Sequence, residues 1–309
     1  MRGSACAEID ALRFAYAAAA LLLSVHGAAG PLVLQTDFGL EDHAVAAMRG
    51  VARRVAPGLV VDDLTHEIPA FDIWQAAYRL HAVVDYWPSD TVFVSVVDPG
   101  VGSDRESVVA RLANGQLVVT PNNGTLTLLH DGVGVVAVRR IDESRHRLPG
   151  SERSHTFHGR DLYAHVGALL ASGKLRFEEA GEATQAVRLD YQRPMIEANR
   201  LVGSIPVLDV HFGNIWTNLP ADWNALTLGM RYRVTITGPD GAPRFAGDVP
   251  FARTFADVGV GEAVLYVNSV GKMAVALNQA SFAERFGIAS GPGWRVVVEA
   301  PQTGSDARR

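Results

Sequence analysis

An apolar run that ends abruptly in a polar loop is the feature that most constrains how this chain folds. Residues 92–97 read Val-Phe-Val-Ser-Val-Val, and the run breaks at once into Asp98-Pro99-Gly100-Val101-Gly102. A short, β-branched apolar run is typical of a strand buried on both faces of a parallel sheet. Proline and two glycines end the strand and allow a tight turn. The sequence therefore predicts Asp98 at the carboxyl end of a central strand, with Arg105 just beyond the loop.

Charged side chains at such strand ends have two interpretations. In open α/β sheets, ligands bind outside the carboxyl ends of the strands, so Asp98 and Arg105 are candidates for chemistry. They also fit a turn cap and a surface ion pair. A second strand, residues 32–35, ends in Thr36-Asp37-Phe38-Gly39, with Asp42 shortly after. This second cluster fits either recognition of ribose hydroxyls by a carboxylate or capping of the following helix.

Strands alternate with helices through the first half of the chain. The spacing of apolar residues predicts helices from Glu41, over residues 73–86 and over residues 162–170, and apolar runs predict strands between them. This alternation favours a Rossmann-like α/β domain with a largely parallel sheet over residues 31–182.

The pattern changes after a polar stretch, residues 183–200, which is typical of a linker. Short β-rich segments follow, separated by turns rich in glycine, proline and aspartate. They predict a small antiparallel β-barrel domain over residues 201–300, followed by a disordered tail over residues 301–309. The predicted fold class is therefore α/β, with an N-terminal Rossmann-like domain and a C-terminal antiparallel β-barrel.

Residues 1–30 resemble an export signal, because basic residues precede an apolar run and small residues follow it up to Gly30. Glu8 and Asp10 within the basic region argue against export, and a disordered or helical extension is the alternative. The sequence leaves the location open between cytoplasmic and exported, with cleavage near Gly30 in the second case. No other segment is predicted to span a membrane.

Composition excludes several function classes. The 309 residues carry a net charge of −5 and no basic patch, so nucleic acid is not an expected partner. The single cysteine, Cys6, excludes an intramolecular disulfide and a multi-cysteine metal site. No His-x-x-x-His pair adjoins a glutamate, and the spacing of His155 and His158 is weak by itself, so no metal site is predicted. No phosphate-binding P-loop motif is present.

Three further polar clusters are candidates for binding. Residues 154–161 crowd two histidines, an arginine and an aspartate before a predicted helix, and the alternative is a solvated loop. Residues 209–218 contain an aspartate, an asparagine and a tryptophan, which supply a partner for an ammonium group, an amide for a base edge and a stacking face. The alternative there is a β-turn with a core tryptophan. The third cluster, Asn268-Ser269-Val270-Gly271, by itself indicates a hairpin turn.

Taken together, the clusters resemble one family, the S-adenosyl-L-methionine hydroxide adenosyltransferases, which are related to the fluorinases and chlorinases. The motifs that carry the resemblance are Thr36-Asp37-Phe38-Gly39, Asp98-Pro99-Gly100-Val101-Gly102 with Arg105, Pro121-Asn122-Asn123-Gly124, Thr156-Phe157-His158-Gly159-Arg160-Asp161, residues 209–218 and Asn268-Ser269. Each motif alone is weak, but the ordered set across residues 32–290 is specific.

The resemblance implies an enzyme that hydrolyses S-adenosyl-L-methionine (SAM) to adenosine and L-methionine, with SAM as substrate and no cofactor. It implies Asp98, Arg105 and His158 as the catalytic set around the attacking water. It also implies substrate-binding residues, which are Asp37, Asp42, Phe71, Asn123, Phe157, Asp209, Asn214, Trp216 and Ser269. The implied assembly is a homotrimer with SAM between the N-terminal domain of one subunit and the C-terminal domain of its neighbour.

The chemistry of SAM is consistent with these residues. SAM is a sulfonium, so methionine leaves as a neutral thioether and needs no general acid, whereas the ribose 5′ carbon needs an in-line nucleophile in a water-poor site. Asp98 fits a general base that Arg105 holds ionised, although the sequence leaves open which of the three residues takes the proton. A negative Asp98 would repel a halide, which favours water. The alternatives are a SAM-dependent halogenase and a non-catalytic SAM- or adenosine-binding protein.

Overall fold

A computed structural model describes residues 30–291 and 293–301 of the chain. The predicted export signal and the tail beyond Pro301 lie outside the described residues. The chain divides into two compact units, of which unit 1 comprises residues up to 71 and 85–186, and unit 2 comprises residues 72–84 and those from 187 onward. Within the part that the structure describes, no helix combines the length and the apolar character that a membrane crossing requires.

Unit 1 contains a seven-stranded mixed sheet. Its strands are β1 (Leu32–Thr36), β2 (Val61–Thr65), β3 (Val92–Val96), β4 (Ser107–Leu112), β5 (Leu117–Pro121), β6 (Val135–Arg140) and β7 (Ala183–Thr184), in the order β2-β1-β3-β5-β4-β6-β7. The pairs β2–β1, β1–β3 and β3–β5 are parallel. Because β4 pairs antiparallel with both β5 and β6, strand β6 runs with the parallel set. Most strands therefore share one direction, which confirms the predicted α/β class.

The helices of the described residues are, in chain order, α1 (Ala44–Val55), α2 (Ile73–Val83), α3 (Thr127–Asp131), α4 (Glu143–His146), α5 (His165–Ala171) and α6 (Phe282–Phe286). A π-helical turn, Gly159–Ala164, leads directly into α5. Single 3₁₀ turns occupy Val84–Tyr86, Phe177–Glu179 and Phe255–Asp257.

One face of the sheet in unit 1 is covered by α1, the π-helical turn and α5. All five residues of β3 are buried, as predicted from the apolar run. Met48 of α1 and Val166 of α5 belong to the same core cluster as Leu34. Helix α5 approaches β3 so closely that a Cβ atom at Gly167 would lie 2.4 Å from Val94 Cγ2, so only glycine fits there. This close packing fixes the position of the π-helical turn, which carries site residues.

Unit 2 contains two antiparallel sheets. Its strands are β8 (Met195–Ile196), β9 (Arg200–Ser204), β10 (Val207–Leu208), β11 (Ile215–Pro220), β12 (Arg231–Thr237), β13 (Pro243–Pro250), β14 (Ala263–Val267), β15 (Lys272–Leu277) and β16 (Arg295–Glu299). The sheet orders are β10-β11-β15-β14 and β13-β12-β16-β9-β8. The predicted antiparallel β architecture is therefore confirmed. The pairings form two sheets, and their closure into a barrel stays a prediction.

Helix α2 belongs to unit 2 through its polar contacts. Trp74 Nε1 donates a hydrogen bond of 3.1 Å to the carbonyl of Pro206, and Arg79 Nη2 donates one of 3.3 Å to the carbonyl of Leu208. The Trp74 ring also packs against Tyr191, with 5.3 Å between the ring centroids. The N-terminus of α2 is capped by Asp72, whose carboxylate accepts from the backbone nitrogen of Gln75.

The elements differ from the sequence-based expectation in a few places. Helix α1 begins at Ala44 rather than Glu41, because Asp42 Oδ1 accepts from the nitrogen of Ala44 and keeps the preceding residues in a loop. The helix predicted over residues 162–170 starts earlier, as a π-helical turn. The linker, residues 183–200, contains the short strands β7 and β8. Helices α3, α4 and α6 span four or five residues each, which is too short to show a helical period.

Candidate active site

The loop after β3 folds back on itself and brings Arg105 to Asp98. The nitrogen of Val101 donates to the carbonyl of Asp98 at 3.2 Å, and Ser103 Oγ donates to the carbonyl of Gly100 at 2.7 Å. Gly102 has a φ of 80°, which a side chain rarely adopts, so the glycine permits the turn. Arg105 Nη2 then lies 2.7 Å from Asp98 Oδ2.

The ion pair between Asp98 and Arg105 is buried. The side chains are 6% and 10% exposed, respectively, so the interpretation as a surface ion pair is wrong. Arg105 Nη1 donates to the carbonyl of Glu106 and to Ser107 Oγ, both at 3.0 Å. These bonds orient the planar guanidinium, which in turn fixes one oxygen of the Asp98 carboxylate.

Several buried polar atoms around Asp98 have no protein partner. Among the described residues, Asp98 Oδ1 and both ring nitrogens of His158 accept or donate no hydrogen bond. His158 is 6% exposed and lies directly before the π-helical turn. A buried polar group without a partner is costly, and a bound water or substrate satisfies it. The arrangement therefore fits a site that holds a polar ligand between a carboxylate and an imidazole.

Burial shifts the pKa values of the two groups in opposite directions. Desolvation raises the pKa of Asp98, and the positive charge of Arg105, more than the nearby His158, opposes this rise. Desolvation lowers the pKa of His158, so its imidazole is neutral near pH 7. An ionised carboxylate with a raised pKa is a stronger base than an exposed one, so Asp98 is suited to accept a proton from a bound water.

A cleft of about 260 Å³ in unit 1 joins these groups to other predicted site residues. Asp98 and His158 line it together with Asp37, Phe71 and Phe157. Asp37 Oδ2 accepts a hydrogen bond of 2.9 Å from the nitrogen of Phe71. Phe71 has a φ of 69° and is 71% exposed, so its ring stands at the mouth of the cleft in a backbone conformation that is unusual for a bulky residue.

Asp42 and Asn123 do not line this cleft. Asp42 binds the first residue of α1 through the contact described above. Asn123 Nδ2 donates to the carbonyl of Val97 at 2.8 Å, directly beside Asp98, and its Oδ1 accepts from Thr125 Oγ1 at 2.9 Å. The contacts of Asn123 therefore hold the carboxyl end of β3 in place.

His66 supports the loop that carries Asp37. Its Nδ1 lies 2.8 Å from Thr36 Oγ1, and the nitrogen of Phe38 donates to that same hydroxyl at 3.2 Å. His66 Nε2 lies 3.0 Å from Asp63 Oδ1, and Asp63 is also paired with Arg49. Nδ1 is thus engaged by Thr36 while the imidazole is neutral, and desolvation, aided by Arg49, lowers the pKa of His66 to about 4.

The lowered pKa of His66 predicts a pH dependence of stability. In the unfolded chain the pKa of His66 is near 6.5, whereas in the folded protein it is about 4, so between these values only the unfolded state binds the proton. The contribution of neutral His66 to stability is therefore fully present above pH 6.5 and is lost as the pH falls towards 4. We expect the free energy of unfolding in urea to fall by about 2 kcal/mol between pH 8 and pH 5 from this residue alone. The variant His66→Gln should lose this part of the pH dependence, and an identical decline in wild type and variant would contradict the assignment.

The remaining predicted site residues lie in unit 2. Asp209 and Asn214 line a cleft of about 600 Å³ in this unit, together with Phe212, Leu277 and Gln279 among others. Asn214 Nδ2 donates to Asp209 Oδ2 at 3.1 Å, so the amide orients the carboxylate.

Two predicted residues of unit 2 lie apart from this cleft. Trp216, on β11, packs against a small cluster that includes Ala252 and Tyr266. Ser269 lies in the turn between β14 and β15, where the hairpin indicated by the sequence is present. Neither residue lines the unit 2 cleft.

Three polar residues beside the ion pair were missed by the sequence analysis. Ser107 Oγ donates to Glu143 Oε1 at 2.9 Å and lies 3.1 Å from the hydroxyl of Tyr163, which is 3.4 Å from Asp98 Oδ2. Their proximity depends on the antiparallel insertion of β4 and on the π-helical turn. Neither feature has a signal in the sequence. Within the described ranges, no group of three or more histidine, cysteine, aspartate and glutamate residues could hold a metal ion.

Comparisons with known proteins identify the family. The model of the SAM hydroxide adenosyltransferase N-terminal domain matches residues 32–181, and that of the C-terminal domain matches residues 203–295. The chain is 36% identical to a protein of Salinispora tropica named (R)-S-adenosyl-L-methionine hydrolase, over 85% of this chain and 96% of that protein. It is 35% identical to a protein of the same name from Thermus thermophilus, over 84% and 97%, respectively.

A fluorinase of Actinoplanes sp. is 28% identical over 84% of this chain and 95% of its own length. A crystal structure of an uncharacterized conserved protein from Thermotoga maritima matches with a TM-score of 0.79 and 30% identity, covering 86% of this chain and 99% of the other. Both domain models and full-length relatives above 30% identity therefore agree, and the chain belongs to the SAM hydroxide adenosyltransferase family.

Proposed function

We propose that this protein hydrolyses SAM to adenosine and L-methionine. The observation that carries the proposal is the buried Asp98–Arg105 pair, which leaves Asp98 Oδ1 unpartnered in a cleft that His158 also lines. Relatives named (R)-S-adenosyl-L-methionine hydrolase at 34–36% identity support the same substrate and reaction.

The residues of unit 1 suit the chemistry of this reaction. A water held by Asp98 Oδ1 and a His158 nitrogen attacks the ribose 5′ carbon, the carbon–sulfur bond breaks, and its electron pair goes to sulfur. Asp98 takes the proton as the water becomes the 5′ hydroxyl. Arg105 keeps Asp98 ionised beforehand and fixes its orientation. Asp37, on the same cleft, is placed to accept from ribose hydroxyls, and the exposed ring of Phe71 is available to pack on the sugar.

A halogenase is the second candidate, because a fluorinase covers nearly the whole chain at 28% identity. The charge of the site argues against it. A halide at the position of the attacking water would lie beside the ionised Asp98, and at close range in a buried site this repulsion is strong. Water carries no charge and donates a hydrogen bond to the same carboxylate, so the site favours hydrolysis.

The proposal extends to assembly and cofactors. SAM is the substrate, and no further cofactor takes part in the steps above. Asp209 is proposed to bind the methionine ammonium, Asn214 and Trp216 the adenine, and Ser269 the methionine carboxylate. We propose a homotrimer in which SAM lies between neighbouring subunits, and closure of the two antiparallel sheets of unit 2 into a barrel.

The reaction is tested by incubating the purified protein with SAM in chloride- or fluoride-containing buffer and separating the products by chromatography. We expect adenosine and methionine in equal amounts, without 5′-halo-adenosine, and faster turnover of the (R) than of the (S) sulfonium epimer, in keeping with the names of the relatives. A 5′-halo-adenosine product would establish the halogenase instead. Binding of SAM by calorimetry without any turnover over hours would establish a binding protein.

A further inference from the structure

A continuous chain of polar side chains leads from Asp98 to the surface of unit 1. Asp98 Oδ2 is 3.4 Å from the hydroxyl of Tyr163, which is 3.1 Å from Ser107 Oγ, and Ser107 Oγ donates to Glu143 Oε1 at 2.9 Å. Tyr163 and Ser107 are almost fully buried, at 0% and 1% exposure, whereas the side chain of Glu143 is 39% exposed. Glu143 also lines a separate surface cleft of about 550 Å³.

The proposed reaction leaves a proton on Asp98 in every turnover. Hydrolysis of a sulfonium by water releases one proton, and the carboxyl must be ionised again before the next water is activated. Asp98 is 6% exposed, and the cleft in front of it is filled by substrate or product during the reaction. Burial also favours the protonated form of the Asp98 carboxyl. A route for the proton other than the cleft would therefore speed the return of Asp98 to its ionised form.

We propose that Tyr163 and Ser107 conduct this proton from Asp98 to Glu143, which releases it to solvent. The inference rests on the proposed hydrolysis. It goes beyond it by assigning roles to three residues outside the set of Asp98, Arg105 and His158.

The steps balance without any further reactant. Asp98 Oδ1 receives the proton of the attacking water, and the carboxyl turns about its Cβ–Cγ bond so that the new O–H faces Tyr163. The tyrosine oxygen accepts this proton while its own passes to Ser107 Oγ. The serine proton then passes to Glu143 Oε1, along the hydrogen bond that it already makes. Both hydroxyls end with one proton each, and reorientation of their O–H bonds resets the path.

Two arginines lie beside the end of the path. Arg147 Nη1 lies 3.9 Å from Glu143 Oε2, and Arg105 Nη1 donates to Ser107 Oγ, the group next to Glu143. These two cations place positive charge beside the end of the path. Burial raises the pKa of the Tyr163 phenol well above its ordinary range, so this hydroxyl relays a proton without ionising on its own.

Two substitutions break the path at separate points. Glu143→Gln keeps an oxygen that accepts from Ser107 but removes the base that receives the proton, and Tyr163→Phe removes the hydroxyl that faces Asp98 while it keeps the ring. Glu182→Gln is the matched control, because Glu182 lines the same surface cleft, is 82% exposed and pairs with Arg140 rather than with a residue of the path. All variants are compared with the wild-type chain by SAM turnover and by circular dichroism.

We expect Glu143→Gln and Tyr163→Phe each to lower kcat by about tenfold or more, with the KM for SAM unchanged. Proton release then limits turnover, so the solvent deuterium isotope effect on kcat should exceed that of the wild type. Added imidazole buffer should restore part of the rate of Glu143→Gln, since it replaces the missing acceptor. A merely structural role would change neither the isotope effect nor the dependence on buffer. Glu182→Gln should behave as the wild type.

The remaining outcomes contradict either the proton path or the proposed hydrolysis. If the wild type turns over SAM and the kcat of Glu143→Gln lies within twofold of the wild-type value, the proton path is overturned and the proposed hydrolysis is unaffected. A fall in kcat that neither buffer nor deuterium alters would also overturn the path, in favour of a bracing role for the same residues. A folded wild-type protein that leaves SAM intact would refute the proposed function itself, and the path with it.

Discussion

Replacement of Asp98 by asparagine is expected to lower kcat for SAM hydrolysis by about a thousandfold, within the range that a general base contributes. Asparagine has nearly the same shape and keeps an oxygen for the attacking water, but it cannot take the proton. Because SAM would still be held by the remaining groups of the site, the KM should change far less than kcat. Steady-state release of adenosine measures both constants.

Asp104→Asn is the matched control, because Asp104 is an exposed carboxylate in the same loop, six residues further along the chain. It loses the same charge without touching the cleft, so its activity should equal that of the wild type. A rate for Asp98→Asn within tenfold of the wild type, in a protein with an unchanged circular dichroism spectrum, would show that Asp98 is not the base.

Replacement of Arg105 by methionine is expected to move the acid limb of the pH profile upward. Burial already raises the pKa of Asp98, and Arg105 provides the largest opposing effect. Without the cation the pKa rises further, and since the base works only when ionised, activity at neutral pH falls and returns as the pH increases. We expect the acid limb of kcat/KM to move upward by at least about one pH unit, and activity at pH 7 to fall by up to about tenfold for each unit of that shift.

Arg105→Lys separates charge from geometry. Lysine keeps a positive charge near Asp98 but lacks the planar fork that binds Ser107 and Asp98 together. Its acid limb should therefore lie between those of the wild type and Arg105→Met. Identical pH profiles for wild type and Arg105→Met would contradict the role of Arg105, whatever the loss in rate.

The amino-acid sequence predicted the parts of the fold that depend on local pattern. The apolar run of residues 92–97 is a fully buried strand, and the Pro-Gly-Val-Gly turn after it does bring Arg105 back to Asp98. Whether such a pair is buried depends on what covers the strand end. Here the cover includes the π-helical turn, residues 159–164, whose irregular hydrogen bonds have no signature in residue spacing.

The proximity of Ser107, Tyr163 and Glu143 could not be predicted from the sequence. They lie up to 56 residues apart, and they meet because β4 runs against its neighbours and begins at Ser107. A reversed strand within a parallel sheet follows from tertiary pairing rather than from local propensity. The same holds for unit 2, where short β-rich segments separated by turns predicted antiparallel strands but not which strands pair.

The central claim is that water attacks the 5′ carbon of SAM in this site. It is tested most directly by a reaction in water enriched in heavy oxygen, with mass spectrometry of the adenosine formed. We predict that each newly formed adenosine carries one heavy oxygen atom, at its 5′ hydroxyl, and that methionine carries none. Adenosine without the label, or label in methionine, would contradict the account.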